Sequence, residues 1–316
     1  MTPTDRDQTT GLALAALGAA LFATKGIFVK LGYEQGLDAL TVLAWRMIIA
    51  VPLFALVGAM GYRDRRRGKG RHANEPVAPR AVLSAMVVGI LGYYGASLLD
   101  FLSLDLITAQ LNRLVLLTYP FMVLILGAVL FRRRLTAPVV GAALLAYSGI
   151  AIIFGHDLAL EGDAVLGGTL LALASGLAYA LYQLFAKPLI DTLGPRLFTA
   201  IAVSAAGAAV LLQFLFTHPL SALDVPPAAM AILVALALAA TVAPVLLISA
   251  AIGLVGSERT AVFGNISPLL TIALAIAVLG EPFTPFHGVG TVLVICGILL
   301  FTRLTAKPGG ETRAGP

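Results

Sequence analysis

The sequence predicts an all-α integral membrane protein of ten transmembrane helices, arranged as two inverted five-helix repeats. Three observations predict it: an apolar composition that a globule could not hide, ten apolar runs of bilayer length, and confinement of the basic residues to alternate loops. Of 316 residues, 59% are hydrophobic and 12% charged, with a mean hydropathy of +0.96. Soluble domains carry about 25% charged residues, so lipid is the expected solvent here. A barrel strand needs only about 10 alternating residues, whereas these runs are longer and continuously apolar, as a spanning helix of about 20 residues requires.

The runs follow in order. Gly11–Gly32 carries Lys25 and Lys30 and lacks a cleavage site, so it is read as a retained span rather than a signal peptide. Ala39–Gly61 holds a single arginine, Arg46, and Arg80–Ser103 contains Asp100 near its end. Leu106–Phe131 carries Gln110, Asn112, Arg113 and Pro120, and Ala137–Gly155 is rich in small residues that permit close helix contact. Leu166–Pro188 brings Tyr179, Tyr182 and Gln183, followed by Arg196–Phe216 and Ala228–Ala251. Thr260–Leu279 carries Asn265 and Pro268, and Phe286–Arg303 contains Cys296, the lone cysteine, which rules out an intrachain disulfide. Tyr62–Pro79 is the one long polar connection, rich in arginine and glycine, and is read as a basic cytoplasmic loop (residues 62–79).

Orientation follows from charge. With a cytoplasmic N-terminus, 17 of the 21 Lys and Arg residues fall on the cytoplasmic side, and the opposite loops hold acidic residues such as Asp38, Asp157, Glu161 and Glu281. The remainder, Lys25, Lys30, Arg46 and Arg113, lie inside spans. A multi-pass protein of the inner (plasma) membrane with both termini cytoplasmic is expected. Its basic residues flank spans rather than forming a nucleic-acid surface, so the pI of 9.5 implies no nucleic-acid partner.

A repeat is legible. Gly11–Lys30 aligns with Gly168–Lys187 at an offset of 157, matching Phe22 to Tyr179 and Phe28 to Phe185. Pro120 and Gly149 match Pro268 and Gly297 at an offset of 148. Five helices per half is an odd number, so the second copy enters the membrane upside down, as in carriers that alternate access around a midplane site. The repeats are placed at residues 11–155 and 166–303.

The segment from Gly253 to Phe301 carries Gly256, Ser257, Arg259 and Ala261, a mid-helix Pro268, the turn Leu279-Gly280-Glu281, then Gly288 and Gly297. With a weaker copy at Ile107–Pro120, this resembles the EamA domain of the drug/metabolite transporter superfamily, over Gly11 to Arg303. The run Thr24–Lys30, Arg46 and Leu99–Phe101 is similar to a bacterial subgroup of that family. That subgroup has a glutamate before the arginine of the fourth span. Here Asn112 stands in its place, so the resemblance gives this position no proton-carrying group. The resemblance implies a two-repeat helical carrier.

Charges within a bilayer cost about 2.5–3.5 kcal/mol each on insertion scales and call for an explanation. At about 1.5 Å per residue, Lys25, Arg46 and Arg113 lie about 12–14 Å below the outer edge and Asp100 about 6 Å. Two readings stand. The residues line an aqueous cavity whose surplus positive charge attracts an organic anion, or Asp100 pairs with Arg113 as structural glue while the other cations snorkel. Gln110, three residues before Arg113, shares its helix face and Asn112 directly precedes it; these with Tyr179, Tyr182, Gln183 and Asn265 either complete the cavity or bond between helices. Pro120 and Pro268 free the carbonyls of Leu116 and Gly264, as hinges or simple bends. Glu281 is read as a loop cap. The four histidines, in or near loops, show no ligand spacing, so no metal is expected.

The expected function is a secondary transporter, an exporter or exchanger, of small neutral or anionic metabolites such as amino acids or organic acids. The alternative is a cationic drug exporter, which Lys25 and Lys30 oppose by repulsion; a membrane-embedded sensor or enzyme is a further rival. No nucleophile–base motif or P-loop is present in the sequence, so an enzyme is not expected and no cofactor is implied. The expected partners are the bilayer and a small-molecule substrate, with the chain a monomer or homodimer.

Overall fold

The computed structural model describes residues 5–68, 76–131, 135–256, 259–260, 263 and 267–306. Nine helices among them are long and apolar enough to cross a membrane: α1 Gln8–Glu34, α2 Ala39–Arg66, α3 Pro79–Leu106, α4 Ala109–Leu130, α5 Ala137–Glu161, α6 Asp163–Leu193, α7 Pro195–Thr217, α8 Pro227–Val255 and, last in the chain, α10 Pro285–Thr305. The shorter apolar helix α9, Ser267–Leu279, precedes α10. The start of the expected ninth span lies largely outside the described residues, as do Arg132, Arg133 and Arg134. The basic connection is shorter than the sequence suggested, because α2 continues as helix through Tyr62 to Arg66.

Local chemistry sets the helix ends. Asp38 caps α2, its carboxylate accepting from the Leu40 amide at 2.8 Å and the Thr41 amide at 3.1 Å. Thr108 caps α4 by accepting from the Leu111 amide at 3.2 Å. Proline opens α3, α7 and α8, where the first turn needs no N–H. Gly162 (φ 78°) and Gly194 (φ 80°) turn the chain between α5 and α6 and between α6 and α7, in a conformation that a side chain would strain.

Several helices are interrupted. A turn at Thr24 breaks α1 immediately before Lys25, and Thr118 breaks α4 two residues before Pro120. Both α3 and α8 contain a π-helical segment, Ile90–Gly95 and Leu238–Val242. Their starts are 148 residues apart.

Glycine brings the helices into close contact, and the contacts come in matched pairs. On α5, a methyl on Gly149 would lie 2.5 Å from the Gly290 carbonyl oxygen of α10. On α10, a methyl on Gly297 would lie 2.8 Å from the Ala142 carbonyl oxygen of α5. Both pairs relate by one offset (297 − 149 = 290 − 142 = 148). Gly11 of α1 abuts Leu254 and Val255 of α8, while Gly168 of α6 abuts Leu106 and Ile107 at the end of α3. Gly58 of α2 meets Ala200 of α7, and Gly207 of α7 meets Val51 of α2.

Two large interior clusters stand out among the described residues. One joins Leu43, Met47, Phe101, Leu104, Phe214 and Leu233 of α2, α3, α7 and α8. The other joins Leu111, Leu114, Phe121, Ala146, Ile153 and Val294 of α4, α5 and α10. Many large apolar side chains point outward instead, Phe216 being 82% exposed and Val129 72%. Water would not tolerate so broad an apolar surface, but lipid does.

Contacts between loops define the two ends of the bundle. At one end Arg65 is buried and donates to the Thr192 and Leu193 carbonyls, and Arg196 pairs with Asp64 at 3.2 Å. At the other, His218 approaches Asp38 at 3.4 Å and Glu281 reaches α4.

Candidate functional site

The four interior ionic residues singled out from the sequence converge where α1, α2, α3 and α4 meet. The break at Thr24 leaves Lys25 as the first residue of a new helical segment, and its ammonium reaches Asp100 of α3 at 2.6 Å. Asp100 is 2% exposed. Its other carboxylate oxygen accepts from the Asn112 amide of α4 at 3.1 Å, and the same Asn112 nitrogen donates to Ser103 at 3.1 Å. The partner of Asp100 is therefore Lys25. The reading in which Asp100 pairs with Arg113 is corrected in its partner, because the α1 break and the length of the lysine side chain bring Lys25 against the carboxylate.

Arg113 instead donates to Ser267 of α9 at 2.8 Å, and its guanidinium lies 5.2 Å from the Phe22 ring centre. Lys25 approaches the same ring at 5.9 Å, so Phe22 is flanked by two cations. The buried Arg113 Nε has no hydrogen-bond partner among the described residues.

Arg46, 6% exposed, bridges the two π-containing helices. Its Nε donates to Thr241 within the α8 π segment at 3.1 Å, and Nη1 donates to Ser97, just beyond the α3 π segment, at 3.2 Å. Thr241 in turn donates to the Leu236 carbonyl five residues back, an acceptor that the wider turn leaves available. Asp100 interacts electrostatically with Lys25, Arg46 and Arg113. Three cations thus surround one carboxylate.

An aromatic wall adjoins this cluster. Tyr179 stacks on Tyr182 at 5.6 Å, Tyr119 meets Tyr179 edge-on at 5.1 Å, and Tyr93 meets Tyr182 at 5.3 Å. Gln183 donates to the Tyr179 hydroxyl at 3.3 Å. Tyr119 and Tyr179 interact electrostatically with Arg113, linking wall and cluster. Tyr93 and Tyr119 escaped the sequence reading because neither carries a charge nor shares a helix with Tyr179; the aromatic Tyr93-Tyr94 pair was the available signal.

Not every candidate joins the site. Gln110 is buried beside the turn before α10, donating to the Pro282 carbonyl at 3.2 Å. Asn265 lies outside the described residues. Pro268 is the second residue of α9 as described, and Pro120 follows the α4 break. Glu281 accepts from the Ala109 amide at 2.6 Å and the Gln110 amide at 3.2 Å, with Lys30 at 4.0 Å. It caps a helix start, as expected, but that start belongs to the other half of the chain. Lys187 is exposed and pairs with Asp191.

Comparison with known proteins accords with this architecture. The model of the EamA-like transporter family matches residues 9–155 and again 166–303. An uncharacterized transporter of Bacillus subtilis strain 168, YcbK, is 28% identical over 267 residues, covering 81% of each chain. The uncharacterized transporter sll1319 of Synechocystis is 26% identical over 94% of each chain. A solved crystal structure, 18% identical, superposes with a TM-score of 0.58 over 95% of this chain and 100% of its own, a likeness of fold.

Proposed function

Since this chain belongs to the EamA-like transporter family, we propose that it is a secondary carrier, exporting or exchanging a small neutral or anionic metabolite such as an amino acid or organic acid. One observation carries the proposal: three interior cations share a single carboxylate. Lys25 takes up the charge of Asp100, while the hydrogen-bond partners of Arg46 are the hydroxyls of Ser97 and Thr241 and that of Arg113 is the hydroxyl of Ser267. Two guanidiniums are left without carboxylate hydrogen-bond partners among the described residues. At about 5 Å and an effective dielectric of about 20, each attracts a unit anion by roughly 3 kcal/mol. That attraction is about the size of the insertion cost of the arginine itself. A cation would meet a repulsion of the same size.

Alternating access suits a chain of two inverted five-helix repeats, residues 11–155 and 166–303. The reciprocal glycine contacts support that reading, since each is matched by a second contact in which the roles of the halves are exchanged. The π segments of α3 and α8, 148 residues apart, support it too. The distribution of Lys and Arg supports an inner-membrane setting with both termini cytoplasmic and the Asp38–Glu281 end outside.

Reconstitution in liposomes with a panel of carboxylates and amino acids, with and without a pH gradient, tests the proposal. Arg113→Ala and Asp100→Asn are expected to abolish or sharply reduce uptake of the transported solute. Unchanged uptake in both, at normal protein levels, would remove the proposed site.

A further inference from the structure

At the acidic end of the bundle the histidines are less scattered than their sequence positions suggested. His156 and Asp157 end α5, and His287 begins α10. The fold brings His156 Nδ1 to 3.1 Å and His287 Nε2 to 3.3 Å from the same oxygen, Asp157 Oδ1. All three atoms lie within 4.8 Å of one another. We propose that these side chains form a zinc-class divalent cation site joining the outer ends of α5 and α10.

The surroundings of His287 point to a cation. His287 is 1% exposed, and its Nε2, aimed at Asp157, has no partner among the described residues that meets hydrogen-bond geometry. Its other nitrogen, Nδ1, accepts from the Thr284 amide at 3.4 Å and lies 2.8 Å from the Thr284 hydroxyl, which can act as donor or acceptor. Ligation through Nε2 uses the other tautomer, in which Nδ1–H donates to that hydroxyl in place of the long amide bond and the Nε2 lone pair faces a carboxylate oxygen across 3.3 Å. Two acceptors so placed repel each other, and a cation between them turns the repulsion into two bonds.

The two spacings to Asp157, 3.1 and 3.3 Å, suit such an ion. Bonds of about 2.0–2.1 Å in tetrahedral geometry put ligand atoms about 3.3–3.4 Å apart. Two imidazoles and one carboxylate favour zinc and its late first-row neighbours over magnesium or calcium, which take oxygen. Three protein ligands leave the fourth position to water. His156, 16% exposed at its side chain and packed on Phe286 at 4.6 Å, opens the cluster to the exterior. Thr284 serves as the outer hydrogen-bonding group that orients a metal-bound histidine.

The site does not repeat. By the offset of 148, the positions matching His156, Asp157 and His287 are Leu304, Thr305 and Val139, none of them a strong metal ligand. Only one end of the glycine-lined α5–α10 seam is so equipped.

Zinc titration of the tag-free full-length protein in detergent, read by calorimetry, tests the site. About one zinc per chain is expected for the wild type, with saturable uptake lost in Asp157→Asn and His287→Ala. Thr284→Val should weaken binding about 10–100-fold, and His218→Ala, at a distant histidine, should leave it unchanged. Equal zinc uptake by wild type and His287→Ala, or equal loss in His218→Ala, would overturn the assignment. Cobalt titration of the wild type keeps the test independent of variant folding: intense tetrahedral ligand-field bands are expected, and their absence at saturation overturns it. Both readouts are independent of transport.

Discussion

Replacing Asp100 by Asn would leave the Lys25 ammonium in place without its counter-charge. The pair is tight, 2.6 Å, and Asp100 is almost wholly enclosed, whereas the Lys25 side chain keeps 17% of its exposure. Removing one partner from a buried ion pair costs about 3–5 kcal/mol, and the partial access of Lys25 puts this case near the lower end, about 3 kcal/mol. The double variant Lys25→Met/Asp100→Asn removes both charges. The amide at position 100 can still bond Asn112, which also keeps Ser103. It should therefore be more stable than Asp100→Asn alone, by about 2 kcal/mol. Thermal unfolding in detergent followed by far-ultraviolet circular dichroism reads the difference. Scaled from soluble domains, at about 2–4 °C per kcal/mol, the single variant melts about 6–12 °C below wild type and the double variant recovers about two-thirds of that. If the double variant instead loses the sum of the two single losses, the pair carries no coupling and the reasoning is refuted.

Other outcomes follow from named contacts. Glu281→Ala strips two amides at the start of α4 of a charged acceptor, at about 1.5 kcal/mol each, so the melting temperature should fall by about 6–12 °C, with Glu281→Gln intermediate. Gly149→Leu and Gly297→Leu place bulk against matching carbonyls, and each should cost about 3 kcal/mol, agreeing within about 1 kcal/mol in the same assay. At Asp38, burial acts to raise the carboxyl, but the Thr41 hydroxyl, the Thr41 and Leu40 amides and the charge of His218 outweigh it and hold the carboxyl below its ordinary value. The folded form thus binds its proton less readily than the unfolded form. The stabilisation is complete above the unfolded value, about 4, and lost as pH falls through the lower folded value. Asp38→Ala should cost about 1 kcal/mol at pH 7, and the gap to wild type should close on acidification below about pH 4 in denaturation curves.

The spans were legible because bilayer thickness and charge placement act over whole segments: α5, α6 and α7 lie where their apolar runs predict. Lys25, Arg46, Asp100 and Arg113 were equally legible as charges that lipid would not accept unaided. Their pairing was not. Whether Asp100 meets Lys25 or Arg113 depends on a one-residue break at Thr24 that leaves no strong mark in an apolar run. The π segments of α3 and α8 contain no proline and so gave no sign of a wider turn. Glu281 was legible as a cap, but its target, the start of α4, lies 172 residues back in sequence. His156 and His287 looked unrelated because only the α5–α10 seam, set by Gly149, Gly290 and Gly297, brings them face to face.

The exchanged glycine contacts carry an ancestral consequence. A polypeptide amounting to one half, inserted both ways up, would have supplied each groove and the ridge that fills it, and could have assembled with itself. Such a molecule must tolerate every residue in two settings at once, so a lone buried charge would have appeared twice. In the present chain the counterparts of Lys25, Asp100 and Arg113 are Tyr182, Ile248 and Ala261. Two halves that differ in sequence are free of that constraint, so one can hold the ions while the other is aromatic or aliphatic, an unequal interior that a half paired with its own copy could not have.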